Sequence, residues 1–186
     1  NTGGTNLYPH EIRVALYNGK LARLIRDLNY LEDWRAVYGL SPSDRLKDQE
    51  MILRFLALYT DGAKYKRPLK GFLNRFMKEH RNLEGLDEQE LRNLFATTCG
   101  VIRNGIGKKA FRAKNQVNAA LVDSVLCGVA RRISKGPVND VSALGVAFEA
   151  LTADESFQAA IGRATADEER VERRLAKAEA AFQSVP

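Results

Sequence analysis

The chain has 186 residues, 45% of them apolar, enough for one domain with a sizeable core. No run approaches the ~18 apolar residues that span a bilayer, and no charged-then-apolar leader is present, so the expectation is a soluble chain without a membrane partner. The net charge of +6 divides unevenly: residues 136 to 186 hold five Lys and Arg against nine Asp and Glu, leaving a balance of +10 in residues 1 to 135.

The chain opens on Asn1-Thr2-Gly3-Gly4-Thr5, a glycine-hinged polar loop that feeds into a helix. Adjacent glycines admit backbone angles that other residues resist and allow close approach of another group. At an interior position such a loop suits a phosphate or an active site. Standing at residue 1 with no Met before it, it suggests the later part of a longer protein.

Pro9 fits the first turn of a helix running to about Tyr17, with Ile12, Val14 and Leu16 expected to face inward. Asn18-Gly19 ends it. Leu21, Leu24, Ile25 and Leu28 keep helical spacing in a second helix, and a short third helix from Leu31 to Tyr38 carries Trp34. After the Ser41-Pro42-Ser43-Asp44 turn, Met51 to Tyr59 reads as an apolar, central helix that Asp61-Gly62 breaks. A basic loop through Pro68 leads to a helix from Leu69 to His80 with Phe72, Leu73 and Phe76 on one face and its cations on the other.

Asp87 and Glu90 have capping-box spacing for a helix to about Arg103, stopped by Gly105 and Gly107. Val117 to Ile133 is the most apolar helix. Two short helices and a charged one from Ala166 to Phe182 follow. No segment reads as a convincing strand. The expectation is a single all-α domain of about eight or nine helices with no substantial sheet, its acidic C-terminal helices occupying residues 136–186.

Chemistry is easier to exclude than to find. His10-Glu11 begins like a zinc-protease motif, but Val14 stands where the second His is required. With His10 and His80 alone, a three-His zinc site cannot be built, no Cys pair has metal spacing, and no metal ligand set is assigned. Cys99 and Cys127 lie on apolar helix faces and read as reduced core thiols of a cytosolic protein. A metal-dependent nuclease needs clustered carboxylates with a nearby lysine; Asp61 and Lys64 lie together in a loop, but loops between helices often look like that. Asp123, inside the most apolar helix, reads as a structural carboxylate, capped or salt-bridged, and Phe111 as a residue packing its loop down rather than stacking on a base. No catalytic residue is assigned.

The cations cluster twice. Residues 64 to 81 contain Lys64, Lys66, Arg67, Lys70, Arg75, Lys78 and Arg81 against only Glu79; residues 103 to 114 contain Arg103, Lys108, Lys109, Arg112 and Lys114 with no acid. Such clustering is what a polyanion-binding face needs, and equally what a solvated face looks like. Lys64, Lys66, Arg67, Lys70, Arg75, Arg103, Lys108, Lys109, Arg112 and Lys114 are the candidate nucleic-acid contacts.

Asn1-Thr2-Gly3-Gly4-Thr5-x-Leu7-x-x-x-Glu11-x-Arg13-x-Ala15-Leu16-Tyr17 resembles the loop–helix that follows the ParB/sulfiredoxin-like domain of GmrSD-type bacterial restriction proteins. Val14 replaces that pattern's usual Asn. Asp48 to Phe55, Lys70-Gly71-Phe72-Leu73-Asn74, Asn118 to Asp123 and the closing segment from Val171 resemble later parts of the family, so the likeness covers nearly the whole chain. The family's Asp-Gly-Gln-Arg-type catalytic motif does not occur here, nor does a His after His80 for the His-Asn-His-type nuclease of some members.

The resemblance implies the helical half of a bacterial, cytoplasmic, NTP-dependent, DNA-targeting restriction or phage-defence protein. A ParB-like catalytic domain would precede it, and any NTP or divalent metal would belong to the intact protein rather than to this chain. Residues 1–7 would be an inter-domain loop, with Asn1, Thr2, Gly3, Gly4 and Thr5 near the nucleotide. Arg13 would meet an acidic group or phosphate, and Glu11 would cap or orient the loop; locking of the helix onto its neighbour is the structural alternative. DNA is the expected partner and oligomerisation is open. The competing expectation is a protein-interaction scaffold without nucleic-acid binding, in which the acidic tail pairs with the basic first portion.

Overall fold

The structure, a computed structural model, describes residues 6–186. Among these are ten α-helices: α1 (Pro9–Leu16), α2 (Lys20–Leu28), α3 (Glu32–Tyr38), α4 (Lys47–Asp61), α5 (Leu69–Glu79), α6 (Glu88–Gly105), α7 (Ala119–Ile133), α8 (Val141–Ala153), α9 (Glu155–Gly162) and α10 (Glu168–Gln183). The chain is thus mostly helical, with one helix more than the upper expectation.

The middle of the molecule is α7. Asn118 caps it by accepting from the Leu121 N–H at 3.0 Å, and every residue from Ala120 to Ala130 is buried. A helix apolar all round must be enclosed by others. Here α10, α4 and α6 enclose it. Gly128 permits the closest approach: a Cβ there would stand 2.9 Å from the Ala178 carbonyl oxygen of α10. Asp87 caps α6 by accepting from Glu90 N–H at 2.8 Å, as the capping-box spacing requires.

Phe55, Phe95, Phe111 and Trp34 are fully buried in one continuous core, with Trp34 5.5 Å from Phe95 and 5.6 Å from Phe111 between ring centroids. Phe111 therefore packs its loop down. Cys99 and Cys127 are free and buried, and burial pushes both thiols above their ordinary range.

One local reading is corrected. Arg112–Ala113 and Gln116–Val117 form a two-stranded antiparallel hairpin, so α7 begins at Ala119 rather than Val117. Lys114 and Asn115 turn the hairpin at φ 49° and 68°, the left-handed pair that a two-residue hairpin loop demands. Four strand residues carry too little alternation to register as a strand in sequence.

Candidate interaction surface

The first helix is turned inside out. Its cap is set by Glu11, whose Oε2 accepts from the Tyr8 N–H at 2.6 Å and from Arg45 at 3.1 Å. Two residues on, Arg13 reaches inward: Nε donates to Asn74 Oδ1 and Nη1 to Glu50 Oε2, both at 2.8 Å. A buried guanidinium needs such partners, and α4 and α5 supply them. Burying His10 and Arg13 rotates the apolar side of α1 to the outside. Ile12 is 40% exposed and Leu16 63% exposed, with Leu7 and Tyr8 also exposed.

Ile12 and Leu16 thus face solvent, not the core, and Val14 is half-buried. Tyr8, Ile12 and Leu16, four residues apart, make one stripe along the helix. The inward reading failed because the charge pairing of Arg13, not the apolar spacing, decides which face is buried. Arg13 does meet an acidic group, Glu50, and Glu11 does cap the helix. Asn1, Thr2, Gly3, Gly4 and Thr5 lie outside the described residues.

Beneath α1 a buried polar network joins α2, α3 and α4. Asp48 Oδ2 accepts from Arg35 Nη1 at 2.9 Å, from Asn29 Nδ2 at 3.0 Å and from the Ser43 N–H at 2.9 Å. Asn29 Oδ1 in turn accepts from Trp34 Nε1 at 2.9 Å and from Arg35 Nη2 at 3.1 Å. A cleft of about 350 Å³ lies at the start of α1, lined by Tyr8, Pro9, His10, Tyr38, Arg45, Lys47, Glu50, Met51, Val117 and Ala119. His10 is 1% exposed, and neither ring nitrogen has a hydrogen-bond partner among the described residues.

The two basic clusters are largely occupied within the molecule. Lys64 pairs with Asp61 at 2.9 Å, Lys66 with Glu168 at 3.3 Å, Arg67 with Asp167 at 3.4 Å, Arg103 with Asp33 at 2.6 Å and Lys109 with Glu149 at 2.7 Å. Arg75 donates to the Lys64 carbonyl at 3.4 Å. Arg112 donates to the Val37, Tyr38 and Lys108 carbonyls, closing the C-terminal end of α3. Lys70, Lys108 and Lys114 have no ion-pair partner among the described residues. The hairpin turn places Lys114 at its tip.

Two further clusters lie away from this surface. Asp123 on α7 is wholly buried between two guanidiniums: Arg54 of α4 donates Nε to Oδ1 at 3.0 Å and Nη2 to Oδ2 at 2.6 Å, and Arg174 of α10 donates Nη2 to Oδ2 at 2.9 Å. Asp123 is therefore the salt-bridged structural carboxylate that its place in an apolar helix suggests.

Asp61, Glu79 and His80 bring three ligand atoms within 4.8 Å of one another, a grouping that sequence reasoning missed because α4 and α5 are needed to assemble it. The Glu79-His80 adjacency was its one visible signal. His80 Nδ1 contacts the Glu84 carbonyl at 2.6 Å, leaving Nε2 3.6 Å from Asp61. Asp61 is already paired with the Lys64 ammonium at 2.9 Å.

Set against family models, curated proteins and solved structures, the chain matches none.

Proposed function

We propose that the chain is a non-catalytic helical docking module of a GmrSD-type restriction or phage-defence protein, seating a ParB/sulfiredoxin-like nuclease domain on the outer face of α1. The observation that carries this reading is the exposed stripe of Tyr8, Ile12 and Leu16 on a helix held rigidly from behind by Arg13 and Glu50. Contiguous apolar surface of this kind marks an interaction face. The helix follows directly on the Asn-Thr-Gly-Gly-Thr loop that carries the resemblance. Pairing of the acidic C-terminal helices with the basic first portion within the same chain also favours a scaffold over a polyanion-binding face.

The test is a calorimetric titration of the chain with a ParB/sulfiredoxin-like domain of that class. Wild type binds, and the double variant Ile12→Lys with Leu16→Lys loses at least tenfold in affinity while keeping its helical circular dichroism, since both side chains are exposed. No association, or association indifferent to the two substitutions, overturns the reading.

A second reading, contact with the DNA backbone, is favoured by one observation: the basic hairpin tip, where Lys114 stands close in sequence to the unpaired Lys108. Lysines presented this way suit phosphate contacts rather than base readout. Any NTP or divalent metal would then act in the catalytic domain beside this one.

A further inference from the structure

We propose that Asp61, Glu79 and His80 bind a zinc ion, which joins the C-terminal end of α4 to the C-terminal end of α5. The inference does not rest on the docking role. Arg13 of α1 is held by Glu50 near the start of α4, and Asp61 lies about 16 Å further along the same helix.

The imidazole carries the argument. His80 Nδ1 stands 2.6 Å from the Glu84 carbonyl oxygen. A carbonyl can only accept, so Nδ1 holds the N–H of the neutral ring and Nε2 its lone pair. Metal-binding histidines are commonly oriented in this way, the second nitrogen donating to a backbone carbonyl. Phe76 packs against the ring at 4.7 Å between centroids. Nε2 and Asp61 Oδ2 are 3.6 Å apart. An N–H donating to a carboxylate would close to about 2.7–2.9 Å, so the two atoms make no hydrogen bond. Two ligands of one tetrahedral zinc, with bonds of about 2.0–2.2 Å, stand about 3.4 Å apart.

Charge points the same way. Asp61 ends α4 and Glu79 ends α5, where the helix macrodipole favours cations over carboxylates. Lys64 answers only Asp61 Oδ1, at 2.9 Å and from an exposed position, which leaves Oδ2 toward His80. Glu79 has no salt-bridge partner among the described residues, and its carboxylate comes within 4.8 Å of the other two ligand atoms. Asp61 is buried and Glu79 exposed, so a rotation of the Glu79 side chain completes the set around a fixed pair. One imidazole with two carboxylates suits zinc, whereas magnesium and calcium prefer oxygen alone. Three protein ligands leave the fourth position to water.

The test titrates ZnCl2 into the whole, metal-stripped chain, free of any affinity tag, at neutral pH and in excess MgCl2. Calorimetry reads stoichiometry and affinity, and NMR follows the ring ¹⁵N resonances of both histidines. The expected result is saturable uptake of one zinc per chain that shifts His80 Nε2 and leaves the buried His10 ring unmoved. At zinc a hundredfold above its Kd the melting temperature rises by about 5–10 °C.

Affinity falls at least tenfold in His80→Gln and in Glu79→Gln. Glu79 is exposed, so Glu79→Gln keeps the wild-type melting temperature in the absence of zinc and separates loss of a ligand from loss of the fold. The proposal is overturned if zinc leaves His80 Nε2 unmoved. It is equally overturned if Glu79→Gln binds zinc as tightly as wild type, which would place the ion on other surface carboxylates.

Discussion

An imidazole with both nitrogens unbonded and out of water costs about 1–3 kcal/mol relative to a hydrogen-bonded one, and among the described residues His10 is in that position. Burial is the largest influence on it and lowers its pKa to about 4, with Glu50 and Asp48 of α4 opposing and Arg13 of its own helix assisting. In the unfolded chain the ring titrates near ~6.5. As pH falls below that value the unfolded state takes up a proton that the folded state refuses, so stability is lost between about pH 6.5 and about pH 4. The loss from this one residue is about 2–3 kcal/mol. Phe at position 10 cannot titrate. Denaturant unfolding should therefore show His10→Phe gaining on wild type by that amount between pH 7 and pH 4; a constant difference across the range would mean that His10 is hydrated or paired in solution.

At the scale of the element, α7 is held by close packing and by one charge. Asp123 is the single carboxylate between the guanidiniums of Arg54 and Arg174, so it joins α4, α7 and α10. Removing its charge leaves two cations buried, a situation that costs about 3–5 kcal/mol. Asp123→Asn should lower the melting temperature by about 6–20 °C for a chain of this length. A smaller change would show that water reaches the site. Gly128→Ala tests the other support: the added methyl would meet the Ala178 backbone at 2.9 Å, an overpacking expected to cost about 1–3 kcal/mol.

Most elements were legible in the sequence because apolar spacing and caps agree, as at Asp87 and in the largely apolar run of α7. The exceptions are instructive. In α1 the same spacing pointed the wrong way, because an Arg13 partnered by Glu50 and Asn74 outweighs the apolar side chains. Those partners lie on α4 and α5, and neither short-range pattern nor propensity shows which face they will meet. The short hairpin escaped notice because its turn residues, Lys114 and Asn115, carry no glycine signal.

Across the whole molecule, the sequence separates charge but the fold brings it back together. Glu149, Asp167 and Glu168 of the acidic third lie against Lys109, Arg67 and Lys66 of the basic remainder. Of the ten candidate phosphate-binding cations, five are ion-paired and Arg75 and Arg112 bond to backbone carbonyls, leaving Lys70, Lys108 and Lys114. Each exposed pair contributes little to stability, about 0–1 kcal/mol, yet it competes with phosphate for the same cation. If all ten cations met phosphates, the log–log dependence of duplex-DNA affinity on salt would have a slope of about −9; three give about −3. Fluorescence anisotropy across a salt series measures the slope, and Lys108→Glu with Lys114→Glu should flatten it further. A slope of about −3 that the double variant reduces would place DNA on the hairpin side of the molecule and leave the α1 stripe free for a protein. A slope near −9 would mean that the surface pairs open on binding, with Glu149, Asp167 and Glu168 giving up their cations to the polyanion.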